Sequence, residues 1–228
     1  GNGPAMRSSI LGVVHGQEPE RLKAFVRAST EVTHSDPKAY YAALAVALAA
    51  HQSAGGERPT AASFLASLNT LLADADAAEL HWLLKRAADS AVRCEPLAEF
   101  AASIGSKNGI SGYSYHTVPC VLQQWFRDPD DFEGGLQAII KAGGDTDTAG
   151  AIFGGIVGAR VGGEGIPAPW LENIVEWPRS TGWIERLGTA LADGEPPPRY
   201  FIPGIPFRNL VFLIVVLAHG LRRLAPPY

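Results

Sequence analysis

Apolar residues along this chain recur at the spacing of helices rather than strands. From Tyr40 to His51 the run YYAALAVALAAH is apolar on nearly every face, which predicts a helix set deep in a core. Pro37 stands at its start, with Ser35 and Asp36 as capping candidates. Glu20 to Val32, Thr60 to Ala73 and Ala77 to Ala88 carry narrower apolar stripes and predict amphipathic helices, the last two around an acidic joint, Asp74-Ala75-Asp76. Val118 to Phe126, with Pro119 read as its start, and Asp131 to Lys141, after the Asp128-Pro129-Asp130 turn, carry helix-start signals. The most apolar stretch, Leu210 to Ala218, lies between Arg208-Asn209 and His219. It is shorter than the ~20 residues of a membrane span and predicts a buried core helix. No alternating run of β-branched residues and no Asn-Gly hairpin between such runs is present, so strands are not expected. The expected fold is all-α, a single-domain orthogonal helical bundle over residues 1–228, with Gly162 to Pro169 and Gly194 to Pro206 as surface connections.

Composition narrows the function classes. The chain is 46% hydrophobic and 18% charged, enough apolar content for a packed core and unlike a disordered chain. Its 19 basic residues do not balance 23 acidic ones, giving a net charge of -4 and arguing against a nucleic-acid partner held by bulk charge. Two cysteines, Cys94 and Cys120, cannot build a disulfide scaffold and fit a reducing, cytoplasmic setting. The start of the sequence has neither a basic region nor an apolar run, and no membrane partner is expected.

The segment that carries chemistry is Gly143-Gly144-Asp145-Thr146-Asp147-Thr148. It interrupts one helical pattern near Lys141 and opens another. Two carboxylates two residues apart, each beside a hydroxyl, make a compact cluster of hard oxygen donors of the kind Mg²⁺ takes. The preceding glycines allow the backbone a sharp turn that aims both side chains at one point. The same residues also suit plain N-capping, because Asp and Thr are ordinary capping residues and negative charge is favoured at a helix start. Downstream, Gly150, Gly154, Gly158 and Gly162 recur every fourth residue, beside a second small row of Ala151, Gly155, Ala159 and Gly163. Each interior glycine costs a helix ~1 kcal/mol relative to alanine. Such a helix is expected at the centre of the bundle, closely approached by its neighbours, holding Asp145 and Asp147 rigidly.

The segment GGDTDTAGAIFGGIVGARVG resembles the C-terminal signature of the ADP-ribosylglycohydrolases, the group of the dinitrogenase-reductase-activating glycohydrolase and the ADP-ribosyl-serine hydrolase. Other pieces agree in order. Gly1-Asn2-Gly3 with Ala5-Met6-Arg7 resembles the family's GNG-x-AMR loop, and Thr33-His34-Ser35-Asp36-Pro37 its T-H-x-x-P stretch. Asn108 to Tyr113 with Thr117-Val118-Pro119 resembles its substrate-side loop, and Asn209-Leu210 with His219 to Pro226 its C-terminal helix. The resemblance implies an all-α hydrolase with two Mg²⁺ ions that cleaves the glycosidic bond between ADP-ribose and a protein side chain. It makes Asp145, Asp147 and Thr148 metal ligands, with Asp145 and Asp147 catalytic. Gly1, Asn2 and Gly3 would meet the diphosphate through backbone N–H groups, and His34 with Ile110, Ser111, Gly112 and Tyr113 would line the ADP-ribose cleft. Read from the residues alone, His34 serves equally as a structural histidine, and Tyr113 with Tyr115 as core aromatics.

The family's other metal motif, T/S-D-D-T/S, and an upstream acidic residue have no match in the sequence. Asp130-Asp131, its one adjacent pair of aspartates, reads as a helix cap. The expectation is the C-terminal two-thirds of one such domain, with a missing N-terminal segment or chain as partner beside ADP-ribose or an ADP-ribosylated protein. The alternative is a truncated, non-catalytic relative that binds ADP-ribose or serves structurally. A phosphatase reading of Asp145 to Thr148 needs a β-strand directly before Asp145, where the pattern shows a helix end. His15, His51, His81, His116 and His219 lack the mutual spacing of a zinc site.

Overall fold

The computed structural model describes residues 1–73 and 76–224. Asp74 and Ala75 of the expected acidic joint, and Ala225 and Pro226 at the chain's end, lie outside the described residues. The described residues form thirteen α-helices and no strand, as the apolar spacing predicts. They fall into two compact units, Gly1–Ile166 and Pro167–Tyr228, each taken here by itself.

The first unit holds α1 (Gly3–Met6), α2 (Ser9–His15), α3 (Pro19–Glu31), α4 (Pro37–Ala54), α5 (Ala61–Leu71), α6 (Ala78–Val92), α7 (Leu97–Ser103), α8 (Ser114–Arg127), α9 (Phe132–Ala142) and α10 (Thr146–Val161). Its axis is α4. The all-apolar run of that helix is buried from Ala42 to Ala50, with α2, α10, α3 and α8 around it. Its start is set by Pro37 in the first turn and by Asp36, whose side chain accepts from the Lys38 N–H; Ser35 takes no part in the cap. Thr60 caps α5 and Asp131 caps α9 in the same way, each accepting from the N–H three residues on. Trp125 of α8 is fully buried, donates its indole N–H to Ser53 Oγ at 2.9 Å and meets Phe64 edge-on.

Three expectations need correction. Pro119 does not start α8: the helix begins at Ser114 and Pro119 lies inside it. An interior proline costs ~3 kcal/mol or more. Burial of Val118, Val121, Leu122 and Trp125, at about 1.5–3 kcal/mol each, outweighs that cost. The glycine-rich α10 is enclosed on one face only, where Ala149, Ile152, Phe153, Ile156 and Val157 are fully buried. Neighbours crowd Gly150 and Gly155, but a Cβ at Gly154 or Gly158 would meet only the Phe132 ring, at 3.8 and 4.0 Å.

The third correction concerns the second unit, which holds α11 (Ala168–Glu172), α12 (Thr181–Asp193) and α13 (Gly204–Leu224). The stretch Leu210 to Ala218, expected in a core, lies in the middle of α13, and its side chains from Leu210 to Leu217 are 45–58% exposed. At 21 residues, α13 is long and apolar enough to cross a membrane by length and composition. An all-round apolar pattern marks a helix that needs cover. It does not say what supplies the cover, and α11 and α12 are too short to wrap it.

Candidate active site

The acidic turn is built by two glycines. Helix α9 ends at Ala142, and Gly143 and Gly144 then take φ of 74° and 84°, a region favouring glycine. The chain thus reverses within two residues and starts α10 at Thr146. Gly144 also forms an isolated parallel bridge with Ile110. Ile110 N–H donates to the Gly143 carbonyl at 2.8 Å, and Asp145 N–H donates to the Ile110 carbonyl at 2.6 Å. A Cβ on Gly144 would stand 2.2 Å from that carbonyl oxygen. The loop before α8 is therefore stapled to the acidic turn, and Gly112 comes so close that its Cβ position is 3.3 Å from Asp145 Oδ2. The segment directly before Asp145 is helical and then turns, which removes the phosphatase reading.

Asp145 occupies the capping position of α10, where its carboxylate lies within reach of Thr148 and Asp147 in the first turn. Its carboxylate also meets Asn2, whose Nδ2 donates to Asp145 Oδ2 at 2.7 Å and to Thr117 Oγ1 at 3.0 Å. The Thr117 hydroxyl in turn donates to the Ser111 carbonyl at 2.6 Å. Asn2 is thus a buried bridge between the start of the chain, the α8 loop and the acidic turn. Partial burial pushes the Asp145 pKa up, but Asn2, with Thr148 and Asp147, more than offsets it and holds the carboxyl below its usual range. Asp147 is exposed and Thr148 half-buried in the first turn of α10.

On the other side of Asn2, the glycines of the first loop lie under His34. A Cβ on Gly1 would come within 2.5 Å of His34 Nε2, and one on Gly3 within 3.3 Å of Cε1. Arg7 ties this corner together, donating to the Ser29 carbonyl at 2.6 Å and to Thr33 Oγ1 at 2.7 Å, while Thr33 Oγ1 pairs with His34 Nδ1 at 2.8 Å. Burial, with the charge of Arg7, lowers the His34 pKa below 6.5 against the pull of Asp36. Tyr113 sits at the start of α8, edge-on to His116 with ring centroids 5.1 Å apart, and Ser111 Oγ pairs with His116 Nδ1 at 2.9 Å.

The structure therefore brings together Gly1, Asn2 and Gly3 with His34, and Asn2 with Asp145, Ile110, Ser111 and Gly112. Tyr113 stands beside this group, engaged by its neighbours. Thr117 and Arg7 were not expected as site members. Thr117 lay in a quoted motif, and its link to Asn2, 115 residues away, has no local signal. As a metal site, Asp145, Asp147 and Thr148 fit in kind, because all offer hard oxygens from one rigid turn. Among the described residues no group of three His, Cys, Asp or Glu could hold a metal ion.

Fold and site define an all-α protein whose polar centre is an acidic turn fixed by a distant asparagine. Residues 1–199 match the ADP-ribosylglycohydrolase family, and the chain belongs to that family. It is 28% identical over 174 residues to an ADP-ribosyl-[dinitrogen reductase] glycohydrolase of Rhodospirillum rubrum, covering 76% of this chain and 50% of that one. It is 29% identical over 204 residues to the ADP-ribosylhydrolase ARH3 of Bos taurus, covering 76% of this chain and 53% of that one. An uncharacterized protein of Archaeoglobus fulgidus is 27% identical over 197 residues, covering 83% and 57%. The chain thus spans about half the length of these relatives. The stretch from Asn209 to Pro226, likened above to the family's C-terminal helix, lies beyond the matched residues.

Proposed function

We propose that this chain carries part of the site of a Mg²⁺-dependent hydrolase that cleaves the bond between ADP-ribose and a protein side chain. The observation that carries the reading is the Asp145 carboxylate, held from outside its helix by Asn2 and from within it by Thr148. Asp145, Asp147 and Thr148 would hold the ion, whose chemistry is to order ribose hydroxyls and activate a water. Asn2 spends both amide hydrogens on Asp145 and Thr117, so it fixes the carboxylate and is not free for a ligand. We assign the ADP-ribose diphosphate to the backbone N–H groups of the Gly1-Asn2-Gly3 loop, beside which His34 packs closely. Two cysteines without a disulfide support a reducing, cytoplasmic location.

The test is turnover of an ADP-ribosylated protein with Mg²⁺. Asp145→Ala and Asp147→Ala should each lower the rate by about 100-fold or more while helicity is kept. Wild-type turnover in either variant removes the metal assignment. A second reading, an ADP-ribose binder without catalysis, is favoured by the incomplete donor set among the described residues. Calorimetry with ADP-ribose and Mg²⁺ separates the two, since heat of binding without turnover belongs to the second.

A further inference from the structure

The hydroxyl of Ser111 and the imidazole of His116 form a pair beside the acidic turn, with Oγ and Nδ1 2.9 Å apart. The loop that carries Ser111 is fixed to that turn on both sides of the serine. The Ile110 carbonyl accepts from the Asp145 N–H at 2.6 Å, and the Cβ position of Gly112 lies 3.3 Å from Asp145 Oδ2. The Ser111 carbonyl accepts from the Thr117 hydroxyl at 2.6 Å, so the serine backbone is fixed as well. Ser111 is nevertheless half-buried rather than sealed, and Gly112 beside it is exposed. His116 lies in the first turn of α8 between two neighbours. Tyr113 meets its ring edge-on at 5.1 Å, and the Cβ position of Gly105 is 3.5 Å from its Nε2.

A serine hydroxyl has one hydrogen to give and two lone pairs to receive with. The Tyr113 N–H donates to one lone pair of Ser111 Oγ at 3.3 Å. Burial lowers the His116 pKa below 6.5 against the pull of Glu79, so near pH 7 the ring carries a single N–H, on Nδ1 or on Nε2. With the proton on Nε2, Nδ1 accepts the Ser111 hydrogen, which is then spent inside the protein. With the proton on Nδ1, the ring fills the second lone pair of Oγ, and the hydroxyl hydrogen turns away from both donors. Only the second arrangement leaves a donor for a ligand, and a ligand oxygen arriving at the turn selects it. Resting on the ADP-ribose reading above, we propose that His116 is a positioning residue: it donates from Nδ1 to Ser111 and thereby aims the Ser111 hydroxyl hydrogen at an acceptor oxygen of ADP-ribose bound over the acidic turn.

Calorimetry of ADP-ribose with Mg²⁺ on the full chain is the experiment. His116→Phe keeps a ring against Tyr113 but removes the donor. His116→Gln carries its amide to the Nε2 position, away from Ser111. Each should weaken ADP-ribose binding about 3- to 10-fold, the net worth of one hydrogen bond, with helicity kept. His116→Asn sets an N–H where Nδ1 stands and should recover most of that loss. Ser111→Ala should weaken binding by a similar factor, and adding His116→Phe to it should weaken binding no further. The proposal is overturned if His116→Phe and His116→Gln bind as tightly as wild type, if His116→Asn is as weak as either, or if the effects at Ser111 and His116 add in full. A wild-type chain that takes up no ADP-ribose overturns the ADP-ribose reading itself, and the role of His116 falls with it.

Discussion

Asn2 is the residue directly before the first helix, yet its side chain reaches a carboxylate 143 positions away. Both side-chain amide hydrogens are used within the protein, and the Asn2 backbone carbonyl accepts from Met6 N–H at 3.1 Å to close α1. A hydrogen bond to a charged group contributes about 1.5–3 kcal/mol. Asn2→Ala should therefore destabilise the first unit by roughly that amount, visible as a lower thermal midpoint. An unchanged midpoint would mean that Asp145 is held by its helix instead. Sequence alone placed Asn2 in a glycine loop and gave it a role toward a ligand. What it could not supply is the partner, because a contact between residues 2 and 145 has no periodicity to read.

At the level of elements, the site depends on one short connection. Gly144 combines a φ of 84° with a backbone carbonyl 2.2 Å from its Cβ position, so both conformation and space exclude a side chain. Gly144→Ala should break the bridge to Ile110 and cost about 2–4 kcal/mol, measured by chemical denaturation. Gly143→Ala meets no atom within 4 Å and carries only the conformational penalty, so it should be the milder of the two. Much at this scale was legible. The proline and acidic signals gave the starts of α4 and α9, and paired glycines gave the turn. Pro119 misled because proline also survives inside a helix whose other side chains are buried. The glycine rows of α10 were read as fully enclosed because spacing shows which residues share a face but not what lies opposite.

For the molecule as a whole, pH acts through histidines. His34, His51 and His116 have pKa values lowered from 6.5, with burial the first cause in each. The unfolded chain then binds protons before the folded one, so their contribution is complete above pH 6.5 and is lost as pH falls below it. The thermal midpoint should drop between about pH 7.5 and about pH 5.5, and His51→Gln should flatten part of that slope. A slope of the opposite sign would contradict the burial of these rings. The all-α class was legible from spacing throughout, whereas the exposure of α13 was not, since hydropathy reports a need for cover and not its fulfilment.

The two cysteines differ sharply in setting. Cys94 is exposed, while Cys120 is sealed within α8 and burial pushes its thiol up to about 12. A maleimide should thus modify one sulfur per intact molecule at once, and the second only as fast as α8 escapes from its packing. The slow phase is then a clock, internal to the polypeptide, for opening of the first unit.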